Sequence, residues 1–281
     1  MRKPRFWAEM TSADFGRDEM ARTIAVLPVA ATEQHGPHLP LGTDTMIMEG
    51  YIAKVIARLP EELAVLFLPV QNCGLSIEHT DFSGTLSLSS TLIIRSWTEI
   101  CECVHKAGCR KLVLLSSHGG NSAVLETIAH YLRARLNMLA VVASWRRLGA
   151  PDGLSSAHEQ AHGNHAGEFE TSLMLAFRPD LVRIERAADF PSASADIERE
   201  FNWLRPGRPA GFGWMARSFR LRRDGQCGGR ERAKGRGLGG LWRNGLHRAV
   251  GRNRPFRSYA VQGRSASLKF RAWMRGPSGR T

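Results

Sequence analysis

Four short apolar runs alternate with amphipathic stretches in the first half of the chain, and this alternation constrains the fold more than any other feature. Each run has the length of a buried strand, and the segments between them repeat apolar residues at helical spacing, as Ile93, Trp97 and Val104 do. Strands that alternate with helices favour a largely parallel sheet covered by helices on both sides. The sequence therefore predicts a single α/β domain with strands at residues 24–29, 64–70, 111–115 and 139–143.

Polar residues that suit a divalent metal follow the first of these strands. Glu33 and His35 are two positions apart, so they leave the strand end on one side, and Asp44 can fold back across a loop punctuated by Pro and Gly. Two carboxylates and an imidazole are ligands that a metal with open coordination positions needs. A solvated polar loop is the alternative, and these three residues alone do not decide between the two.

Two further polar clusters precede predicted helices. His118 stands at the end of the third predicted strand, and Gly119 and Gly120 beside it let backbone or ligand approach closely. Residues 158–171 hold three His and three Glu, although Glu168 in a first helical turn has a second explanation, since acids there complement the helix dipole. Because ligands gather at the carboxyl ends of parallel strands, the three clusters together favour one shared site.

Several of these motifs, in this order, resemble the creatininase (creatinine amidohydrolase) family. The resemblance runs from about Ile24 to about Arg183, and the stretches that carry it are residues 33–38, 44, 76–88, 117–121 and 165–172. It implies a creatininase-like fold and a two-metal amidohydrolase. The cofactors that it implies are zinc and a second divalent ion, which is manganese, zinc or magnesium.

The resemblance also implies roles for individual residues. Glu33, Asp44 and His118 match the ligands of one metal. His35 and a bridging Asp44 match ligands of the other metal, and His165 matches the histidine proposed as the proton shuttle of the family. A neutral imidazole suits such a shuttle near neutral pH.

Departures from the family pattern concern the second metal and the substrate. Creatininase proper has Tyr-Glu where this chain has Gly119 and Gly120, and its Glu binds the second metal, so we expect Glu168 to supply that carboxylate and to act in catalysis. The candidate substrate-binding residues are His79, Trp145 and the two glycines. Trp145 could stack on a planar substrate, but a Trp after a strand is more often a core residue. The resemblance therefore supports the fold and the metal chemistry better than it supports creatinine as the substrate.

These inferences predict a hydrolase that cuts a non-peptide C–N bond. The expected substrate is a small cyclic amide or a formamide, attacked by a water that two metals activate. The family also implies homo-oligomers, hexamers among its members. Two alternatives stay open: a metal-binding family member without turnover, and a nucleic-acid-binding protein driven by a basic tail.

The positive charge of the chain is concentrated in its last 65 residues. Residues 217–281 hold 16 Arg and 2 Lys against two acidic residues, a net charge of +16, whereas residues 1–216 carry −3. The segment also has 12 Gly and no helical or strand periodicity. It could be an Arg-rich arm for nucleic acid, a disordered segment or an out-of-frame translation. The abrupt end of the resemblance favours the last, so we expect a domain at 1–216, a tail at 217–281 and no nucleic-acid partner.

The sequence gives no sign of membrane insertion or secretion. The N-terminus lacks an apolar signal-peptide core, and no apolar run approaches the roughly 18 residues of a transmembrane helix. The five Cys show neither paired zinc spacing nor a secreted disulfide pattern. We therefore expect a cytoplasmic protein with reduced thiols.

Overall fold

The structure, a computed structural model, describes residues 4–148, 159, 162–163, 165–188, 190, 194–205 and 210–216. Its helices are α1 (Arg17–Arg22), α2 (Thr43–Ile56), α3 (Ser90–Lys106), α4 (Ser122–Leu136), α5 (Glu168–Phe177) and α6 (Ser194–Glu200). Its strands are β1 (Ile24–Val29), β2 (Val65–Phe67), β3 (Lys111–Ser116), β4 (Leu139–Ser144), β5 (Leu204–Arg205) and β6 (Ala210–Gly211).

A four-stranded parallel sheet in the order β2-β1-β3-β4 forms the centre of the fold. β1 pairs with β3 over its whole length, from Ile24 opposite Lys111 to Val29 opposite Ser116. The predicted parallel α/β fold is confirmed. β2 is shorter than the predicted strand at 64–70, because Pro28 of β1, which faces β2, has no N–H to continue the ladder.

The sheet has an apolar cluster on each face. Successive side chains of a strand point to opposite faces, and in β1 Ala25 and Leu27 join the larger cluster while Ile24 and Val26 join the smaller one. The larger cluster contains buried residues of α3 and α4, and the smaller one contains residues of α2, so helices cover both faces.

A third apolar cluster holds α2 against α5. Ile47 of α2 packs with Leu173 and Met174 of α5, all of them buried. This contact brings the first turns of the two helices together at the edge of the sheet where β1 and β3 end.

Loops at this edge are tied together by Asn121, which is fully buried. Its side-chain amide donates to the carbonyl of Ala30 at 3.0 Å, and its Oδ1 accepts from the backbone N–H of Leu75 at 2.9 Å. The loops that follow β1, β2 and β3 therefore meet at one point.

Within the described residues, no helix is long and apolar enough to cross a membrane. Four of the five cysteines lie in this part of the chain and are free thiols, namely Cys73, Cys101, Cys103 and Cys109. The predicted tail at 217–281 lies outside the described residues, so the boundary at residue 216 stays a prediction.

Candidate metal centre

The polar residues that follow β1 turn inward and are buried. Glu33 and His35 are 0% exposed, and Asp44 in the first turn of α2 is 2% exposed. One ligand atom from each of these three residues lies within 4.8 Å of the other two. The chain returns tightly after His35 because Gly36 adopts a φ of 68°, which favours glycine.

Asp44 lies between two histidines and offers a different oxygen to each. Its Oδ2 is 3.4 Å from Nδ1 of His118, and its Oδ1 is 3.7 Å from Nε2 of His35. Glu33 adds a second carboxylate on the His118 side, with Oε1 3.2 Å from Nδ1 of that histidine. A carboxylate placed in this way could hold two metal ions, one through each oxygen.

Both histidines are oriented by backbone carbonyls. Nδ1 of His35 lies 3.0 Å from the carbonyl oxygen of Glu33, and Nε2 of His118 lies 2.9 Å from that of Leu75. A hydrogen bond donated by each of these nitrogens leaves the other ring nitrogen free to point at Asp44. Such outer hydrogen bonds fix the tautomer of metal-ligating histidines.

The buried atoms at the centre fit divalent ions. Four of them have no hydrogen-bond partner among the described residues: both carboxylate oxygens of Glu33, Nε2 of His35 and Oδ2 of Asp44. Buried polar atoms without partners are unfavourable, since they lose their hydration without compensation. Carboxylate and imidazole donors suit zinc and manganese, and such ions would satisfy these atoms.

Glu170 lies on the side of the centre that contains His35, where Glu168 was predicted. Oε2 of Glu170 is 3.8 Å from Nε2 of His35, and Glu170 forms a candidate metal-binding group with His35 and His165 that does not include Glu168. Glu170 is therefore the stronger candidate for this carboxylate, and Glu168 as the ligand stays a prediction. Two residues apart in a helix differ by about 200° around the axis, so the two acids of α5 leave in nearly opposite directions.

A strained residue aims Glu170 at the centre. Ala166 adopts a φ of 50°, which is uncommon for a residue with a side chain, and its N–H donates to Oε2 of Glu170 at 2.6 Å. Strained conformations of this kind persist where the surroundings enforce them, often at functional sites.

His165 lies beside the centre with one nitrogen facing it. Its Nε2 contacts the carbonyl oxygen of Gln34, and its Nδ1 is 3.6 Å from Oε1 of Glu33. Burial, followed by the charges of His35 and His79, lowers the pKa of His165 well below its ordinary value. A neutral ring that donates through Nε2 exposes the lone pair of Nδ1 to the centre, where it can accept a proton.

His79 is a second histidine whose ring faces the carboxylate of Glu33. The amide nitrogen of Gln34 donates to Nδ1 of His79 at 2.9 Å, and Oε1 of the same amide accepts from the N–H of Gly36, which fixes the amide orientation. Nε2 of His79 therefore carries the proton and faces Oε1 of Glu33 at 3.4 Å. His79 is buried, as a residue lining the site should be, and its role toward substrate stays a prediction.

Glu78 is a residue of the site that the sequence did not reveal. Its Oε1 is 3.3 Å from Nε2 of His118, on the side of the ring that faces away from Asp44. Gly120 makes room for this contact: a Cβ there would come closer than 3.0 Å to Glu78, His118 and the carbonyl of Leu75. A Cβ on Gly119 would meet no described residue within 4 Å.

Trp145 packs against the smaller apolar cluster, and its role as a substrate-stacking residue stays a prediction. Its ring stacks on Tyr51 with centroids 4.5 Å apart, and its Nε1 is 3.4 Å from the sulfur of Met48. Trp214 instead meets the site, with ring centroids 5.6 Å from His79 and 6.2 Å from His165. No motif in the sequence pointed to Trp214.

The carboxylates and the histidines of the centre shift the pKa values of one another. Burial opposes charge on His35, but the nearby carboxylate of Asp44 and then those of Glu170 and Glu33 raise its pKa to about 9. Burial likewise opposes charge on His118, yet Glu33 and Glu78 raise its pKa well above the ordinary value. Glu33 is also buried, but His118 and two further histidines lower its pKa to about 2.

The sequence matches the family profile of creatininase, described as creatinine amidohydrolase, over residues 8–237. The chain belongs to the creatininase family. The predicted resemblance is therefore confirmed, and the matched region continues past Arg217 into the predicted tail. The chain is therefore a creatininase-family hydrolase. Its relatives are named for different substrates.

The mycofactocin precursor peptide peptidase of Mycobacterium tuberculosis is 37% identical over 186 residues, which is 63% of this chain and 68% of the relative. The creatinine amidohydrolase of Pseudomonas putida is 28% identical over 211 residues, 69% of this chain and 80% of that protein. Solved structures of creatininase in a manganese form and in a zinc–zinc form of a variant are each 27% identical, with a TM-score of 0.54. Each covers 68% of this chain and 79% of the solved chain.

Proposed function

We propose that this chain is a divalent-metal-dependent amidohydrolase whose two metals are bridged by Asp44. The observation that carries the proposal is the position of Asp44, whose two oxygens face His118 and His35 at 3.4 and 3.7 Å in a buried cluster of unpaired polar atoms. Glu33, Asp44 and His118 would hold one ion. His35, Asp44 and Glu170 would hold the other.

Divalent ions held by these residues would supply Lewis-acid chemistry, which makes water a better nucleophile and polarises an amide carbonyl. The protein supplies the proton transfers. Nδ1 of His165 faces Glu33 and accepts the proton of the attacking water, and it then gives this proton to the leaving nitrogen. The carbonyl of Gln34 holds the ring in the tautomer that this transfer needs.

The bond that is cut is an amide C–N bond, and two substrate classes have support. The motifs resembling creatininase favour a cyclic amide or a formamide, and the creatinine amidohydrolase relative agrees with this. The 37% identical relative, named as a peptide peptidase, favours a peptide amide. A panel of lactams, formamides and short peptides, assayed with zinc- and manganese-loaded protein, distinguishes the two classes.

The test of the proposal is metal content together with turnover. We expect about two divalent ions per chain, and we expect Asp44→Ala to remove both ions and all activity. Asp18→Ala, which changes an exposed acid of α1, is the matched control. Stoichiometric metal without hydrolysis of any member of the panel would favour the inactive family member, and absence of metal from the wild-type protein would refute the proposal.

Three further expectations stay predictions: homo-oligomeric assembly, a cytoplasmic location and the absence of a nucleic-acid partner. Gel filtration with light scattering tests the first. Polyanion binding at several salt concentrations tests the last, because binding through an Arg-rich tail would fall steeply with salt.

A further inference from the structure

Trp214 is the aromatic side chain that reaches the metal centre from the C-terminal part of the described chain. Its indole meets His79 edge to face, with centroids 5.6 Å apart and planes at 62°, and meets His165 at 6.2 Å and 48°. Both histidines are themselves within 3.6 Å of Oε1 of Glu33. Trp214 therefore lies one ring away from the carboxylates, on the side of the proposed proton shuttle.

Backbone hydrogen bonds hold the segment that carries Trp214 at both ends. The N–H of Ala216 donates to the carbonyl oxygen of Glu78 at 3.0 Å, which fixes the segment to the residue before His79. At the other end, the N–H of Ala210 donates to the carbonyl of Trp203 at 3.2 Å, beside the pairing of β5 with β6. The indole is half-buried, so part of its surface is free to contact a ligand.

The surroundings of this indole explain why it matters for substrate choice. The centre is lined by carboxylates and imidazoles, which interact with the amide but do not distinguish one apolar substituent from another. An indole offers a large flat apolar surface that prefers other rings in stacked or edge-to-face arrangements. A substrate whose amide reaches the centre must place one of its substituents near His165, where this surface lies.

We propose that Trp214 is a specificity-determining residue that contacts a planar or aromatic substituent next to the scissile amide. The inference rests on the proposed function, because it requires the amide to bind at the metal centre. It narrows the substrate class to amides that carry a flat ring or an aromatic side chain close to the bond that is cut.

The test uses two metal-chelating probes that differ only in the substituent, acetohydroxamate and benzohydroxamate. Both hydroxamates chelate divalent ions, and only the second has a phenyl ring that can reach the indole. Calorimetric affinities for the zinc-loaded full chain give the ratio of the two, which requires no turnover. We expect the wild type to prefer benzohydroxamate by about 2- to 12-fold, the range for an aromatic pair.

Three variants locate the source of this preference. Trp214→Ala should abolish it while leaving acetohydroxamate affinity and zinc content unchanged, and Trp214→Phe should keep most of it. Trp203→Ala is the matched control, because Trp203 is 73% exposed, and this variant should retain the wild-type ratio.

The outcomes separate the inference from the function on which it rests. If both hydroxamates bind and the ratio is the same in wild type and Trp214→Ala, the inference is wrong while the metal centre stands. If Trp214→Ala weakens both probes equally, Trp214 is a structural residue and the inference is wrong as well. If neither probe binds the zinc-loaded wild type, the proposed function fails and the inference fails with it.

Discussion

Gly120→Ala should destabilise the protein, whereas the neighbouring substitution Gly119→Ala should have no effect. A Cβ on Gly120 would lie closer than 3.0 Å to Oε1 of Glu78, Nε2 of His118 and the carbonyl oxygen of Leu75, a separation that real Cβ atoms essentially never show. The carbonyl of Leu75 is backbone, so it cannot move alone. The side chains of Glu78 and His118 must therefore shift away from the added methyl group.

The magnitude follows from overpacking. Extra methyl groups in a packed interior destabilise by about 1–3 kcal/mol. For a domain of this size each kcal/mol lowers the melting temperature by about 2–4 °C, so Gly120→Ala should lower it by roughly 2–12 °C. Because His118 would lose its orienting partners, zinc affinity should also fall by about 10- to 100-fold, the usual effect of disturbing groups behind a metal ligand.

The assay is thermal denaturation with and without zinc, followed by zinc competition against a chromophoric chelator. Gly119→Ala is the control, since a Cβ there meets no described residue within 4 Å, and it should change neither quantity. Equal behaviour of the two variants would refute the packing of Glu78 and His118 around Gly120. If Gly120→Ala lowers stability but leaves zinc affinity unchanged, the packing around Gly120 stands, and the role of Glu78 in orienting His118 is refuted.

Three other predictions address the ligands and the proton shuttle. His165→Ala should retain both metals by mass spectrometry but lose about 10²- to 10⁴-fold in turnover, and full activity in this variant would refute the shuttle. Glu170→Gln should lower the metal content from two ions to one, whereas Glu168→Gln should leave it unchanged; the reverse result would restore the original prediction. Metal affinity should rise with pH until about pH 9, since the pKa of His35 is about 9 without metal and a proton must leave before this imidazole can bind. Proton release measured by calorimetry in two buffers checks this, and affinity independent of pH between 6.5 and 9 would contradict it.

Much of the metal centre could be predicted because it follows local rules. The two-residue repeat of an extended chain puts Glu33 and His35 on one side, and neighbouring parallel strands bring their ends to the same edge, where His118 lies. β1 and β3 pair along their full length, so the register of the sheet itself delivers these side chains to one place.

The choice between Glu168 and Glu170 could not be made from the sequence. It depends on where α5 begins and on the φ of 50° at Ala166, which turns the chain so that Glu170 faces the centre. Helix boundaries are uncertain by one or two residues even in structures, and a shift of two residues turns a side chain to nearly the opposite face.

The position of Trp214 at the site could not be predicted for a different reason. Trp145 follows β4, which is at the edge of the sheet, and the stacking of Tyr51 against its ring occupies it in the core. Trp214 follows a two-residue strand and reaches the site only because Ala216 bonds to Glu78, a contact between residues far apart in sequence. Glu33, His35 and His118 are thus specified by adjacent strands, whereas Trp214, the residue proposed to select substrate, is delivered by tertiary contacts. Within one family, the loops and the C-terminal segment can therefore change the substrate while the sheet keeps the metals.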